Sequence, residues 1–391
     1  MKSAVQFGAG SIGRGFMGQL FWEIGYGIVF VDVNDRLTGL LNERKAYTLR
    51  ILDAETSKKR DVVIDGIRAL DLKNRRAVAA AVSSASVIST AVGVENLPSV
   101  AGTFTEGIEA RLRISAPPLD VYLCENSLHA SEILKTAVFG SLKTGTKRWA
   151  EENVGFIQTA VMRIVPQTKE KSPADPLLVV SDAYHRLPFD NRARRAAPPP
   201  IEGLRPVEDF AAEMTKKLYT YNLAHAALGY LGGLKGFLYI HESFDDDTVV
   251  SQVEDALSES MSALITRYPE NFESGEDGFI MRDIKLRFSN PLILDTVKRI
   301  TKDPVRKLGP DERLIGSAKL CLSCGIKPES ISRVCAAALL YGDPDDPAAA
   351  KLKSLVETEG VGEALRTVSQ LDPGGWLARR IEAHYRSLKD R

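Results

Sequence analysis

Three polar residues in the second half of the chain fall on the apolar face of one predicted helix. The helix is predicted for the segment EDFAAEMTKKLYTYNLAHAALGYLGG, where apolar residues recur every three or four positions. The side chains that mark this face are Phe210, Met214, Leu218 and Tyr221. At 100° per residue, Lys217 lies within about 20° of the first of these, and Asn222 and His225 lie within about 40° of the third. Lys216 points about 100° away and is interpreted as an ordinary surface lysine.

An amine, an amide and an imidazole on one buried face can act together on an alcohol. Burying them without partners is costly, so we expect them to face a ligand. Hydride transfer from an alcohol needs the hydroxyl proton removed, and a desolvated lysine has a lowered pKa and serves as base. Lys217 is the predicted base, Asn222 the predicted donor to the developing alkoxide, and His225 the residue that positions the hydroxyl or polarises a ketone. In the alternative, Lys217 extends to solvent and the other two bind backbone groups.

A second amide donor is predicted at Asn126, at the end of the strand-like run VYLCEN. In parallel sheets, ligands lie beyond the carboxyl ends of the strands. The alternative is that Asn126 caps the helix that follows. This chemistry needs no metal ion, and none is expected.

A glycine-rich turn near the start of the chain predicts a dinucleotide site. It closes the strand SAVQF, opens a helix and is followed at the expected interval by Asp32, which ends the run IVFVD. The residues of the turn are Gly8, Ala9, Gly10, Ser11, Ile12 and Gly13. Gly8 permits the tight turn, Gly10 lets backbone amides approach a pyrophosphate, and Gly13 lets helix and strand pack closely. Asp32 would accept hydrogen bonds from the adenosine ribose and repel a 2′-phosphate, so NAD is predicted rather than NADP.

Two interpretations of the cofactor region stay open at this point. In the alternative to a cofactor site, the glycine-rich turn binds no ligand and Asp32 is a solvated residue at the end of its strand. A second cofactor contact is predicted after the strand SVIS, at Thr90, Ala91 and Val92. Its alternative is a simple loop between a strand and a helix.

The elements that must position these residues divide into two predicted domains. Residues 1–190 alternate β-branched runs with helical stretches, which is typical of a mostly parallel sheet covered by helices. The runs that predict strands are SAVQF, IVFVDV, the pair YTLRI and VVIDGI, SVISTAV, VYLC and PLLVVSDAYH. Beyond the charged and proline-rich stretch NRARRAAPPP, the apolar spacing is helical almost throughout. We therefore predict an α/β fold with a Rossmann-type NAD-binding domain at 1–190, a linker at 191–200 and a mostly α-helical substrate domain at 201–391.

Composition limits the classes of partner. The chain has 391 residues, with 51 Lys and Arg against 51 Asp and Glu, so no net charge attracts nucleic acid or an anionic membrane. The four cysteines do not make a disulfide framework, and the start MKSAVQFGAG lacks the features of a signal peptide. We expect a cytoplasmic protein with a small-molecule substrate, no nucleic-acid or membrane partner, and a monomeric or small homo-oligomeric state.

Motifs along almost the whole chain resemble those of the polyol-specific long-chain dehydrogenases. They occur in the order and approximate spacing of that family, as FGAGSIGRGF, FVDVN, TAVG, CEN, VGFIQTAVMRIVP, KLYTYNLAH, RFSNP and DPVRKLGPDERLI. The resemblance implies a metal-independent reaction with NAD. It also implies that Lys217 is the general base, that Asn126 and Asn222 are the oxyanion-stabilising pair and that His225 binds substrate.

The expected substrate is a sugar alcohol or its phosphate, with mannitol 1-phosphate and fructose 6-phosphate as the leading pair. Substrate oxygens are expected to meet Arg163 and Arg287, since Arg and Lys suit such groups. A phosphate is expected to meet Arg306, Lys307 and Arg313 for the same reason. The alternative for each is a solvated charge.

Two positions depart from the family pattern. Met162 stands where the resemblance leads us to expect an aspartate, and the run Leu292–Asp295 stands where relatives often carry a lysine. Both changes remove polar groups from the expected sugar pocket. They favour an alternative substrate, namely an unphosphorylated polyol, a sugar acid or a sugar-amine conjugate.

Overall fold

The polypeptide forms two compact units, Met1–Glu213 and Met214–Arg391. A computed structural model describes residues 2–127, 129–166, 175–272 and 275–390. The predicted linker at 191–200 lies inside the first unit. It joins two short strands, Leu187–Asp190 and Leu204–Val207, that pair in parallel with each other. The proline run therefore connects paired strands of one unit.

The first unit is built on a parallel sheet of six strands. In chain order its strands are β1 Ser3–Phe7, β2 Gly27–Asp32, β5 Ile67–Asp71, β6 Val87–Thr90, β7 Leu119–Leu123 and β8 Val154–Gln158. Their order across the sheet is β5-β2-β1-β6-β7-β8, and every pairing is parallel. The chain reverses its winding direction between β1 and β6, which is where doubly wound sheets bind their ligands. The predicted α/β class with a mostly parallel sheet is confirmed.

Helices cover both faces of this sheet, so the sheet is buried on both sides. They are α1 Gly18–Glu23, α2 Asp35–Arg44, α3 Arg75–Ser84, α4 Leu97–Arg113, α5 Ala130–Ser141 and α6 Thr144–Asn153. Val5 and Phe7 of β1 enter one apolar core, whereas Ala4 enters the other. Strands β5 and β8 were absent from the sequence-based list, because their short runs carry too little pattern to separate them from their neighbours.

The predicted pair of strands after α2 forms, but in a separate sheet. β3 Tyr47–Asp53 and β4 Lys58–Ile64 run antiparallel, and β9 Val179–Asp182 joins β3 in parallel. The remaining strands are β10 Leu187–Asp190 and β11 Leu204–Val207.

The second unit is helical, as predicted. Its helices are α7 Phe210–Tyr219, which spans the division between the units, α8 Tyr221–Leu234, α9 Asp247–Arg267, α10 Glu276–Phe288, α11 Val297–Thr301, α12 Pro304–Lys307, α13 Ile315–Ser323, α14 Glu329–Leu340, α15 Pro347–Glu359, α16 Val361–Ser369 and α17 Trp376–Lys389. Helix α8 is almost wholly buried and packs against α9, α10, α11 and α14.

The single helix predicted across Lys217, Asn222 and His225 is in fact two helices. Thr220 leaves helical geometry with φ −117° and ψ −83°, and α8 begins at the next residue. The hydroxyl of Thr220 donates to the Lys216 carbonyl at 2.6 Å, and the Ser260 hydroxyl donates to the Tyr219 carbonyl at 2.6 Å. Such side-chain bonds satisfy carbonyls that a continuous helix would bond itself, and they bend helices. A wheel drawn through the whole segment therefore does not apply beyond α7.

Within the described residues, no helix combines the length and the apolar character that a membrane-spanning segment needs.

Candidate active site

The glycine turn follows β1 and is fixed by contacts that exclude side chains. Gly8 adopts φ +86°, and its N–H donates to the Val31 carbonyl at 2.8 Å. A Cβ atom on Gly8 would lie 2.2 Å from the Ala91 carbonyl oxygen, and one on Gly13 would lie 1.9 Å from the Gly8 oxygen. Both glycines are therefore required by backbone packing inside the turn.

Gly10 differs from its two neighbours because no protein atom would meet its Cβ. Nothing lies within 4 Å of the position that this atom would take, and Gly10 is exposed. The space in front of Gly10 is thus open to a ligand. From Ser11 the chain continues as a helix, including a π-helical stretch over Gly13–Met17.

Asp32 connects the end of β2 to the turn. Its carboxylate accepts the Ala9 N–H at 2.7 Å and the Asn34 N–H at 2.9 Å. Asp32 is half-buried, and a carboxylate has about four acceptor positions, so these two bonds leave acceptor capacity for ribose hydroxyls.

The loop after β6 meets the turn, and Glu125 holds it there. The Ala91 N–H donates to the Phe7 carbonyl at 2.8 Å. The buried Glu125 carboxylate accepts the Val92 and Gly93 N–H groups, both at 2.9 Å. The predicted contact residues Thr90, Ala91 and Val92 therefore border the glycine turn. Sequence reasoning missed Glu125, although a charged residue two positions after the buried strand β7 was a signal.

Asn126 is exposed just beyond the carboxyl end of β7. Helix α5 begins at Ala130 with His129 at its N-cap, so Asn126 does not take the capping role. Its predicted role as a hydrogen-bond donor to substrate stays a prediction.

Arg163 is buried inside the first unit. Its Nη2 donates to the Ser181 hydroxyl at 2.7 Å, and its guanidinium lies 5.5 Å from the Phe16 ring centre. The neighbouring Met162 sulfur accepts a long hydrogen bond of 3.9 Å from the Tyr184 hydroxyl.

Lys217 lies in the last turn of α7 and is buried, with 8% of its surface exposed. Its amine has no hydrogen bond or ion pair with any described residue. Burial lowers the pKa of Lys217 to about 8, and the positive charge of Arg313 contributes to the same shift. With this pKa, roughly a tenth of the molecules carry a neutral Lys217 amine at pH 7 and about half at pH 8, far more than for an ordinary lysine, and a general base must be neutral.

The interpretation of Lys216 as an ordinary surface lysine is wrong. Its amine pairs with Glu276 at 2.7 Å, donates to the Asn271 carbonyl at 3.1 Å and lies 5.1 Å from the Phe272 ring centre. Only 12% of its side chain is exposed. The two adjacent lysines are thus both enclosed, but only Lys216 has a carboxylate partner among the residues that the structure describes.

Asn222 and His225 lie three residues apart on α8, so they share one face of that helix. Both are partly exposed. The His225 ring does not bind a backbone group, contrary to the alternative above, because its Nε2 lies 3.0 Å from a carboxylate oxygen of Asp295.

Arg313 is a member of this site that sequence reasoning left among the candidate phosphate ligands. It is buried, and its Nε donates to Glu312 at 3.0 Å. Its positive charge acts on the pKa values of both Lys217 and His225. The guanidinium therefore lies close to both groups and favours their neutral forms.

A charge-removing change at Arg313 should shift the pH dependence of the reaction. In Arg313→Met the pKa of Lys217 is expected to rise, so the acidic limb of kcat/KM for alcohol oxidation moves to higher pH. A move of one pH unit lowers the rate at pH 7 about tenfold. Arg313→Lys keeps the charge and serves as the control. Steady-state rates across pH 6–10 measure this effect, and an unchanged limb in Arg313→Met would contradict it.

The other predicted substrate ligands have partners within the second unit. Arg287 is buried, pairs with Asp283 at 3.4 Å and lies 5.7 Å from the Tyr221 ring centre. Arg306 pairs with Asp303 at 3.2 Å and with Glu312 at 3.0 Å.

Lys307 is buried, and its amine donates to the Lys302 carbonyl. Burial lowers its pKa to about 7, with a further contribution from Arg306 and Arg313. With this pKa the amine is charged in only about half of the molecules at pH 7, and a neutral amine binds a phosphate less strongly than a charged one does. This arrangement gives the predicted phosphate role of Arg306 and Lys307 little support.

Among the residues that the structure describes, no cluster of three or more His, Cys, Asp or Glu side chains has the arrangement of a metal site. The four cysteines are free thiols, three of them buried.

A parallel sheet in this strand order, with a glycine turn and an acidic strand end at the switch point, defines a dinucleotide-binding domain of the kind found in dehydrogenases. The chain belongs to the mannitol dehydrogenase family. The family model for the mannitol dehydrogenase Rossmann domain matches residues 2–203, and the model for the mannitol dehydrogenase C-terminal domain matches residues 209–389. The resemblance seen in the sequence motifs is thereby confirmed.

Similar sequences extend over the whole chain. It is 36% identical over 387 residues to mannitol-1-phosphate 5-dehydrogenase of Brevibacillus brevis, covering 99% of this chain and 98% of that protein. It is 37% identical over 388 residues to mannitol-1-phosphate 5-dehydrogenase of Geobacillus stearothermophilus, covering 99% of this chain and 100% of that protein.

Solved structures share the fold at lower sequence identity. A substrate-free D-sorbitol dehydrogenase matches with a TM-score of 0.82 at 19% identity, covering 100% of this chain and 94% of that one. Mannitol 2-dehydrogenase of Pseudomonas fluorescens, in a ternary complex with NAD and D-mannitol, matches with a TM-score of 0.78 at 18% identity. The match covers 100% of this chain and 92% of that one.

Proposed function

We propose that this protein is an NAD-dependent polyol dehydrogenase that interconverts mannitol 1-phosphate and fructose 6-phosphate, with Lys217 as general base. The observation that carries the proposal is the buried Lys217 amine, which lacks a carboxylate partner among the described residues and has its pKa lowered to about 8. The identities of 36% and 37% to proteins named mannitol-1-phosphate 5-dehydrogenase support the choice of substrate.

NAD is the proposed cofactor. The open space before Gly10 fits a pyrophosphate, and the backbone N–H groups that begin the following helix suit an anion. The Asp32 carboxylate keeps acceptor capacity for ribose hydroxyls and would repel a 2′-phosphate. Bound NAD supplies the acceptor for the hydride.

Lys217 removes the proton from the hydroxyl of the substrate as the C–H bond breaks and its electron pair leaves as hydride. The amine becomes an ammonium group, and the carbinol becomes a ketone, so charge and protons balance. In the reverse direction, the ammonium group of Lys217 returns the proton to the oxygen. Asn222, with Asn126 as the second amide, donates to the oxygen while it carries negative charge.

A related substrate is the second candidate, and Met162 favours it. Its thioether replaces the aspartate that the family pattern leads us to expect, and its sulfur contacts the Tyr184 hydroxyl instead of offering a carboxylate to sugar hydroxyls. An unphosphorylated polyol, a sugar acid or a sugar-amine conjugate fits a pocket with this change.

The test is a panel of substrates assayed by the absorbance of NADH. We expect turnover with mannitol 1-phosphate and NAD, and with fructose 6-phosphate and NADH. Free mannitol, other polyols and hexuronates are assayed at the same concentrations. Turnover of one of these, with none of the phosphorylated pair, would refute the proposed substrate and leave the dehydrogenase class intact.

A further inference from the structure

His225 is fixed on two sides by residues of the second unit. Its ring stacks on Phe288 with centres 4.4 Å apart and an angle of 16° between the planes. Its Nε2 lies 3.0 Å from Oδ2 of Asp295, whose side chain is 5% exposed. The stacking sets the plane of the imidazole, and the carboxylate sets its rotation within that plane.

Asp295 is itself held by Arg299, one turn further along the chain. Nε of Arg299 donates to Oδ1 at 2.6 Å, and Nη2 donates to Oδ2 at 2.5 Å. This bidentate pairing is the strongest geometry for an arginine and a carboxylate. Burial acts to raise the pKa of Asp295, but the bonds and charges of His225 and Arg299 outweigh it and lower the pKa to about 2.

An ionised carboxylate only accepts hydrogen bonds, so Nε2 of His225 must carry the proton in the bond with Asp295. Burial lowers the pKa of His225, and the positive charges of Arg299 and Arg313 act in the same direction against the attraction of Asp295. A neutral ring whose Nε2 is protonated has a lone pair on Nδ1. No described residue donates a hydrogen bond to Nδ1.

We propose that Asp295 is a positioning residue that holds His225 in the Nε2-protonated tautomer, so that Nδ1 accepts a hydrogen bond from a polyol hydroxyl next to the one whose proton Lys217 removes. The proposal rests on the proposed function and decides between the two roles left open for His225. A bare Nδ1 has no proton to give to a ketone, so donation to the ketone falls to the Lys217 ammonium group and to Asn222.

The first test reads the tautomer directly and needs no substrate. Protein labelled with 15N in its histidines gives one set of ring nitrogen signals for each of the five histidines. The His225→Gln variant assigns the set that belongs to His225. We expect a pyrrole-like Nε2 and a pyridine-like Nδ1 near neutral pH. A pyridine-like Nε2 in the wild-type protein would overturn the proposal.

The second test removes the carboxylate. In Asp295→Asn the amide no longer fixes the proton on Nε2, so we expect the Nδ1-protonated tautomer to gain population. We also expect kcat/KM for polyol oxidation to fall at least tenfold, with the cofactor Kd unchanged. Asp295→Glu keeps a carboxylate and should recover part of the rate. An Asp295→Asn variant with the wild-type tautomer and wild-type rate would refute the role of Asp295.

Arg299→Met keeps the carboxylate and covers the case in which Asp295→Asn does not fold. Without the charge of Arg299, the pKa of His225 is expected to rise while the Nε2-protonated tautomer persists above that pKa. Activity should then survive at alkaline pH and decline towards acid as the ring becomes charged. Loss of the tautomer in Arg299→Met would contradict the assignment to Asp295.

Asp345→Asn is the matched control. Asp345 pairs at 2.5 Å with Lys298, which lies next to Arg299 on α11, but the side chain of Asp345 is 77% exposed. Exposed ion pairs of this kind contribute little to stability. The His225 tautomer and the rate of polyol oxidation in Asp345→Asn should therefore match those of the wild type. If no polyol is oxidised by any form of the protein, the proposed function fails. The NMR result then still decides the pairing of His225 with Asp295.

Discussion

Replacing Lys217 by alanine is expected to lower kcat for polyol oxidation by about 10²–10⁴-fold, the usual contribution of a positioned general base. The physical reason is that the variant lacks the amine that accepts the proton of the substrate hydroxyl. The pH dependence that the pKa of about 8 imposes on the wild-type enzyme should disappear with it. Stopped-flow and steady-state absorbance of NADH measure both effects. Added methylamine should restore part of the rate, because a small amine can occupy the space that the side chain leaves.

Lys216→Ala is the matched control for this prediction. Lys216 is the adjacent lysine and is also enclosed, but its amine is neutralised by Glu276 at 2.7 Å. We expect it to lose some stability and to keep kcat near the wild-type value. Equal losses in the two variants would indicate a structural effect at the end of α7. Tight NADH binding with rates that do not respond to Lys217→Ala would instead indicate a dinucleotide-binding protein without this catalytic step.

Two alanine substitutions in the glycine turn are expected to have different effects: Gly10→Ala should lose affinity for NADH, and Gly13→Ala should lose thermal stability. In Gly10→Ala no atom lies within 4 Å of the new Cβ, so the melting temperature should stay at the wild-type value. The methyl group would occupy the space for a pyrophosphate, so the Kd for NADH should rise at least tenfold, which is about 1.4 kcal/mol. Calorimetric titration with NADH and thermal unfolding with and without NADH measure the two effects.

Gly13→Ala is the counterpart, because its Cβ would lie 1.9 Å from the Gly8 oxygen. Overpacking of this kind costs about 1–3 kcal/mol, so its melting temperature should fall by several degrees even without NADH. If Gly10→Ala bound NADH as the wild type does, the turn would not be the cofactor site. If Gly10→Ala instead lost as much stability as Gly13→Ala, the conclusion that the space in front of Gly10 is open would be contradicted.

Much of the first unit could be predicted from the sequence because its signals are local. Runs of β-branched residues predicted β1, β2 and β6, and the spacing of the glycines from Asp32 predicted the turn. The strand pair β3 and β4 was also predicted. Its separation into another sheet with β9 was not, since β9 lies more than 120 residues away along the chain. Pairing between strands so distant in sequence leaves no pattern in either strand.

In the candidate site of the second unit, too, some features could be predicted from local sequence and others depend on contacts between helices. Helical periodicity on α7 was sufficient to predict that Lys217 is buried, because burial of one helix face follows from its apolar spacing. The break at Thr220 was not predictable, since it depends on the hydrogen bond that the Ser260 hydroxyl, on another helix, donates to the Tyr219 carbonyl. The misinterpretation of Lys216 has the same origin, because its partner Glu276 comes from α10.

By itself, the sequence determined that an amine, an amide and an imidazole occur together in the helical half and that a dinucleotide turn begins the chain. Only the tertiary structure decided what surrounds them. Arg313 is far along the chain from Lys217 and His225, yet its charge lowers the pKa of both. Asp295 and Arg299 are equally distant in sequence, and their charges act on the pKa of His225. The reason is that electrostatic interactions depend on separation in space and on exclusion of water, and both are fixed only when the helices pack.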